Sequence, residues 1–314
     1  MKVIKSIEDI ELPLKNAVIT IGNFDGVHIG HQALLHTVVE KAAGINGTSV
    51  AFTFDPHPMR VLKTNEHPPL ITLSEQKSEL IARAGIDVLL QIPFTLEFAA
   101  ISARKFVEEL LVRQIGMKAI VVGNDYTFGR NREGDIAQLR QWAPELNYDV
   151  LVVDWIQPAN GTARRISSTR VRELVMKGRM GEAKKLLGRH YQIRGVVATG
   201  RNRGGRLLGF PTANINLQDE LCPKHGIYAV TVEHGGKFHR GVANIGYSPT
   251  FNDHIFTVEV HILDFESNIY GDPIRVNFIE RLRDEIKFES IDALANQIRL
   301  DIQKARHVLN RLFT

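Results

Sequence analysis

What most constrains this chain is a change of period part-way along it. Through the first half, short β-branched runs at residues 17–21, 49–54, 87–91, 119–122 and 148–153 alternate with amphipathic stretches. Parallel strands need long crossovers that helices supply, so this alternation predicts an α/β unit with a parallel, doubly wound, Rossmann-like sheet. Ser74, Ser102 and Asp135 stand where N-caps are expected, ahead of helices over 75–84, 103–115 and 136–142. After about Leu187 the period drops to two, in glycine-punctuated runs at 192–198, 226–233, 238–244, 255–263 and 274–278. That predicts an antiparallel β-domain, a sandwich or a barrel. A helical stripe ends the pattern, with Ser290 as cap and Ile291, Leu294, Ile298, Ile302 and Leu309 spaced to cover part of that sheet. The 314 residues therefore divide into domains 1–186 and 187–314.

Composition removes several classes of function. No apolar run approaches the roughly 20 residues that span a bilayer, so no membrane role is expected. The single cysteine, Cys222, excludes an internal disulfide and cysteine-rich metal sites, and reads as a small half-buried apolar residue in a reducing cytoplasm. Lys and Arg number 39 against 35 Asp and Glu, a net charge of +4. The basic residues cluster at Arg164, Arg165, Arg170 and Arg172 and at Arg201, Arg203 and Arg206, without interleaved aromatics. Discrete phosphate contacts fit that pattern better than a nucleic-acid track, and no nucleic-acid partner is expected.

Ligands of doubly wound sheets bind at the carboxyl ends of the strands. The first such end runs into Gly22-Asn23-Phe24-Asp25-Gly26-Val27-His28-Ile29-Gly30-His31, followed by a helical pattern over 32–43. Gly22, Phe24, Asp25 and Gly26 form a turn that brings backbone close to a phosphate at a helix start. His28 and His31, three apart, share one helix face and can donate hydrogen bonds to a phosphate whose charge grows in the transition state. At the end of a first strand, this motif is the mark of the HxGH nucleotidyltransferases. After the strand at 148–153, Ser167, Ser168, Thr169 and Arg172 open a further helix. Such a loop is either a solvated cap or a clamp for departing phosphates, similar to the lid motif of HxGH enzymes. Asp125 and Arg130 follow another strand, where they bind ribose or phosphate or simply shape a turn.

In the second half, Gly205, Gly209 and Pro211 shape the approach to Thr212 and Asn214, whose side-chain oxygens lie two apart on one side of an extended chain. Hard oxygen donors of this kind suit Mg²⁺ bridging the phosphates of ATP. Asn244 sits in a second glycine-bounded loop region, 241–251. Over 256–262, Phe256, Val258, Val260 and Ile262 form one apolar face and leave Thr257, Glu259 and His261 on the other. Glu259 is then either a solvent-facing residue or a rigidly placed general base.

Taken in order, the segments 22–31, 54–58, 166–172, 205–214, 226–230, 241–251 and 258–271 resemble the prokaryotic bifunctional riboflavin kinase/FAD synthetases across nearly the whole chain. The resemblance implies an N-terminal FMN adenylyltransferase domain and a C-terminal riboflavin kinase built on a six-stranded barrel. It implies riboflavin, FMN, FAD and ATP as partners, Thr212 and Asn214 at the Mg–ATP site, and Glu259 as base for the riboflavin 5′-hydroxyl. Tyr126-Thr127 stands where an aromatic-Arg pair is frequent, and Asn252 where glycine is common. Two rival readings are an HxGH adenylyltransferase for another substrate and a flavin-sensing module without catalysis. The first leaves 205–214 and Glu259 unexplained; the second leaves His28, His31, Asn214 and Glu259 without a task.

Overall fold

A computed structural model describes residues 1–10, 13–62, 67–154, 166–198, 209–217, 219–247 and 256–312. Gly205, Arg164, Arg165, the 201–206 arginines and the stretch 248–252 lie outside them. The chain resolves into two compact units, Met1–Ser168 and Thr169–Thr314.

The first unit holds strands β1 (Lys2–Ile4), β2 (Ala17–Ile21), β3 (Ser49–Phe54), β4 (Val88–Ile92), β5 (Met117–Gly123) and β6 (Asp149–Val153). They pair in parallel in the order β1-β4-β3-β2-β5-β6. The order reverses at β2, which makes its carboxyl end the crevice of the sheet. Every residue of β2 is buried, because helices cover both faces. Ile19, Phe52, Leu90 and Ile120 face one core, while Val18, Ala51, Leu89 and Val121 face the other. The helices are α1 (Ile29–Gly44), α2 (Pro58–Leu62), α3 (Ser74–Arg83), α4 (Leu96–Ala99), α5 (Ala103–Lys105), which runs on as a π-helix over Phe106–Ile115, and α6 (Ile136–Leu146).

Two of the three expected caps hold. Ser102 accepts from Lys105 N, and Asp135 forms a full capping box with Gln138. Ser74 does not cap; Leu73 takes that place, and the Ser74 hydroxyl donates instead to Asp55. The strand β1 was not visible as a period because it is a three-residue edge.

The second unit begins within α7 (Ser168–Met176), whose first residue belongs to the first unit, and continues with α8 (Met180–Leu187). It continues as β7 (Tyr191–Ala198), β8 (Ala213–Asn216), β9 (Gly226–His234), β10 (Lys237–Tyr247), β11 (Phe256–Ile262) and β12 (Pro273–Arg283). These strands close an antiparallel barrel in the order β10-β11-β8-β7-β12-β9. Of the two β architectures the periodicity allowed, the barrel forms, with β8 as its sixth strand. Its wall buries Ala243, Ile245, Val258, Val260, Val276 and Phe278. The terminal helix α9 (Ile291–Asn310) is capped by Ser290, as expected, and packs Ala305 and Leu309 onto Ala229 and Val242.

Candidate functional sites

In the first unit, β2 runs straight into the glycine loop. Phe24 and Val27 adopt positive φ (46° and 38°), a costly geometry held in place because both side chains are buried. Gly26 lies at φ 83°, and a Cβ there would press on Ile71 at 3.1 Å. The Asp25 carboxylate accepts from the Ile71 and Thr72 N–H groups, and Gly26 N–H donates to Thr72 Oγ1 at 3.0 Å. Asp25 thus holds the loop from beneath. Ser168 donates from its hydroxyl to the Asp25 carbonyl at 2.8 Å, which brings the serine of the proposed clamp to this loop.

The loop delivers His28 as N-cap of α1, where its Nδ1 accepts from His31 N–H at 3.2 Å. That bond fixes the tautomer: a neutral His28 ring carries its proton on Nε2 and presents a donor. The two imidazoles stack with centroids 3.6 Å apart and planes 14° from parallel, and Phe24 meets His31 edge-on. A Cβ on Gly30 would sit 3.3 Å from the His28 ring, so glycine leaves the stack its room.

Beside this loop lies a cavity of about 710 Å³. Gly22, Asn23 and Asp125 line it together with Phe54, Phe94, Phe98, Phe106, Tyr126 and Phe128. Phe54 meets Phe94 edge-on at 5.2 Å, and Tyr126 stacks on Phe128 at 5.4 Å. A flat heteroaromatic ring is the natural guest of such walls. Asp125 borders the cavity; Arg130 instead pairs with Glu133 at 3.6 Å, and the cation on the cavity wall is Arg132. The aromatic lining was missed in the sequence because it is assembled from several loops and helices, and only Phe94 with Phe98, four apart, and Tyr126 with Phe128, two apart, lie close along the chain.

In the second unit, the residues singled out in the barrel fall in one row. Register places Asn244 opposite Glu259, and Glu259 opposite Asn214, so the three stand side by side on β10, β11 and β8. The buried Ala213, Ile215, Val258 and Val260 point to the other side of the wall. The row faces outward, but Glu259 is not solvated: burial pushes its carboxyl above the ordinary range. A cavity of about 330 Å³ takes in Thr212, Asn244, Glu259 and His261 from the barrel and Leu294, Ile298 and Ile302 from α9. His261 Nδ1 donates to the Pro211 carbonyl at 2.8 Å, fixing the chain one residue before Thr212, while Gly209 makes the approach at φ 76°. Asn244 Oδ1 is buried and finds no hydrogen-bond donor among the described residues. At the far side, Arg283 forks onto the buried Asp301 with Nε at 2.9 Å from Oδ1 and Nη2 at 2.6 Å from Oδ2, tying β12 to α9. Thr169 and Arg172 lie in the first turns of α7.

Two family models match this chain, one in each half. The FAD synthetase family model matches residues 11–170, and the riboflavin kinase family model matches 187–309. The bifunctional riboflavin kinase/FMN adenylyltransferase of Listeria monocytogenes is 38% identical over 95% of this chain and 94% of its own. That of Escherichia coli K12 is 38% identical over 98% of this chain and 97% of its own. The chain belongs to the bifunctional riboflavin kinase/FMN adenylyltransferase family. It phosphorylates riboflavin with ATP to give FMN and ADP, and adenylylates FMN with a second ATP to give FAD and pyrophosphate. Among solved structures, one from Streptococcus pneumoniae titled a macrolide-efflux protein superposes with a TM-score of 0.87 at 33% identity, covering 97% of this chain and 98% of that one. No helix among the described residues is long and apolar enough to cross a membrane.

Proposed function

We propose that the two reactions are carried by separate residue sets: His28 and His31 for adenylyl transfer, Glu259 for phosphorylation. The observation that carries this division is that the histidine pair lies in the first unit, at the end of a loop whose Gly22 and Asn23 line one cavity, and the half-buried carboxylate lies in the second, lining another.

For FAD formation, the aromatic cavity takes the flavin ring of FMN and the Gly22–Gly26 turn takes the ATP phosphates. The FMN phosphate oxygen attacks the α-phosphorus, the bond to the bridging oxygen breaks, and pyrophosphate leaves. His28 Nε2–H and His31 donate to the non-bridging oxygens as charge gathers there, with no covalent enzyme intermediate. Asp25 and Phe24 shape the loop, and Asp125 meets the ribose. Ser167 contributes its hydroxyl to the departing phosphates, and Ser168 does so by exchanging its bond to the Asp25 carbonyl for one to phosphate; the assignment of Thr169 and Arg172 to the same task, and of Arg130 to a phosphate, rests on their sequence adjacency.

For FMN formation, Glu259 accepts the proton of the riboflavin 5′-hydroxyl as its oxygen attacks the γ-phosphorus and ADP leaves. A carboxylate raised by burial is a stronger base than a solvated one. Thr212 and Asn214 offer neutral oxygens beside that carboxylate, a donor set that fits Mg²⁺ held mainly by ATP phosphates; when bound, the ion neutralises phosphate charge. Gly205, Gly209 and Pro211 frame that approach. The unsatisfied oxygen of Asn244 supports a contact with bound ligand. We place the domain boundary between 186 and 187 and the protein in the cytoplasm, the latter supported by the lone Cys222 thiol, with no nucleic-acid partner.

The test is a time course of riboflavin, FMN and FAD with Mg–ATP for wild type and three variants. His28→Ala and His31→Ala should each lower FAD formation by about 10²–10³ while sparing FMN formation. Glu259→Gln should lower FMN formation by about 10²–10⁴ with riboflavin affinity kept. Equal damage to both activities by one substitution would return that residue to a folding role.

A further inference from the structure

Lys77 is buried on α3, with 8% of its surface exposed, and none of the chemistry above uses it. Its ammonium reaches three oxygens: Thr53 Oγ1 at 3.2 Å, Phe54 O at 3.3 Å and Asn23 O at 3.4 Å. An ammonium has three N–H donors, and each finds a partner here. Thr53 Oγ1, which accepts from Lys77, itself donates to Asn23 O at 3.3 Å and closes the network. These acceptors sit where the β2–β3 ladder stops. The last register pair is Ile21 with Phe52, and the last bond is Gly22 N–H to Phe52 O at 3.0 Å. Beyond it β2 turns into the histidine loop, while β3 continues alongside β4 through Phe54. The lysine thus bridges two backbones at the point where they part.

The placement is costly to explain as packing alone. Burying a cation is unfavourable unless its donors are satisfied, and an apolar side chain on the same face as Ile81 would fill the space without that cost. What the cation adds is a fixed distance between two sides of one site. Asn23 precedes the loop to His28, Phe54 belongs to the aromatic wall, and both line the same cavity.

We propose that Lys77 is a positioning residue for FAD formation: its ammonium clips the histidine loop to the end of β3, so that the group that receives the phosphates and the wall that holds the ring keep one register. Adenylyl transfer needs the attacking phosphate in line with the α-phosphorus, and a shift of about 1 Å in such an arrangement costs about 10²-fold in rate. The proposal rests on the assignment of FAD formation to His28 and His31.

Burial lowers the Lys77 pKa from its ordinary value, and the carboxylates facing it, Asp55 and Asp25, oppose that shift. Loss of the proton would replace one donor by a lone pair aimed at an oxygen, so the clip should open as pH rises through the lowered value.

The experiment uses the full chain carrying Lys77→Met or Lys77→Arg, with His28→Ala alongside. FAD formation from FMN and ATP, riboflavin phosphorylation and thermal melting are measured across pH 7–10. Lys77→Met should lower kcat/KM for FMN in FAD formation by about 10–100-fold and keep phosphorylation within about twofold of wild type. Lys77→Arg, which keeps a charge that does not titrate here, should recover most of that loss and move the alkaline fall of FAD formation to higher pH. FAD formation within about twofold of wild type in Lys77→Met overturns the proposal, and so does an alkaline fall that is unmoved in Lys77→Arg. Full FAD formation by His28→Ala would instead overturn the reading on which it rests.

Discussion

At the scale of single residues, function shows as polar atoms placed where folding alone would not put them. Glu259, the base we propose for phosphorylation, is the clearest case. Its pKa is raised by burial, so the folded protein binds that proton more tightly than the unfolded chain does. Stability therefore falls as pH rises from the ordinary carboxylate range through the raised value. Glu259→Gln should remove that fall, melting higher than wild type above the window and not below it. Wild-type phosphorylation should rise through the same window as the base loses its proton, which a pH–rate profile checks. Tyr126 tells a second story. Its hydroxyl is buried with no partner among the described residues, and burial pushes the phenol up. Tyr126→Phe should raise stability by about 1 kcal/mol in denaturant titration, because a desolvated hydroxyl is removed and nothing is lost with it. The pairing of His28 with His31 and the outward positions of Asn214 and Glu259 were legible in the sequence, since the histidines open a helix after the first glycine loop and the other two alternate with apolar strand residues. Lys77 and the phenylalanine wall were not: a lysine in a helix reads as solvated, and rings on five separate segments converge only through topology.

At the scale of elements, periodicity located strands better than it located ends. The runs at 17–21 and 49–54 match β2 and β3 to the residue, whereas β12 extends to Arg283, beyond the apolar run at 274–278. The extension carries charge. Arg283, placed by it, pairs with Asp301 of α9, side chains 14% and 3% exposed. Nothing in local pattern predicts that pairing, because it depends on where a helix lands. Gln297 adds a hydrogen bond to the same carboxylate at 3.0 Å. Asp301→Ala would leave the largely buried guanidinium without its carboxylate and with only the Asp284 carbonyl as acceptor, and should cost about 3 kcal/mol of second-unit stability. Since both residues border the cavity of Glu259, riboflavin affinity should weaken in parallel while FAD formation from supplied FMN persists. Melting and the two activity assays on one preparation check this.

At the scale of the whole molecule, two cuts compete. The change of period and the start of the riboflavin kinase match fall at 187, but compactness divides the chain between Ser168 and Thr169. The difference is α7 and α8. The helix α8 buries Met180, Ala183 and Leu187 and packs on β7 and β12, and Lys224 N–H donates to the Val175 carbonyl at 3.3 Å. A fragment 169–314 should make FMN and melt higher than 187–314, which forfeits the burial of Met180 at about 1.5–3 kcal/mol. Neither should make FAD, and the appearance of FAD from either would overturn the assignment of chemistry to units. The presence of both units on one polypeptide has a consequence for the cell that makes it. Every translation event yields one kinase and one adenylyltransferase, so gene expression sets the total flux into flavin nucleotides and cannot set their ratio. The balance between FMN and FAD is written instead in the relative turnover of the two sites, and substitutions that slow one of them are the inherited means of changing it.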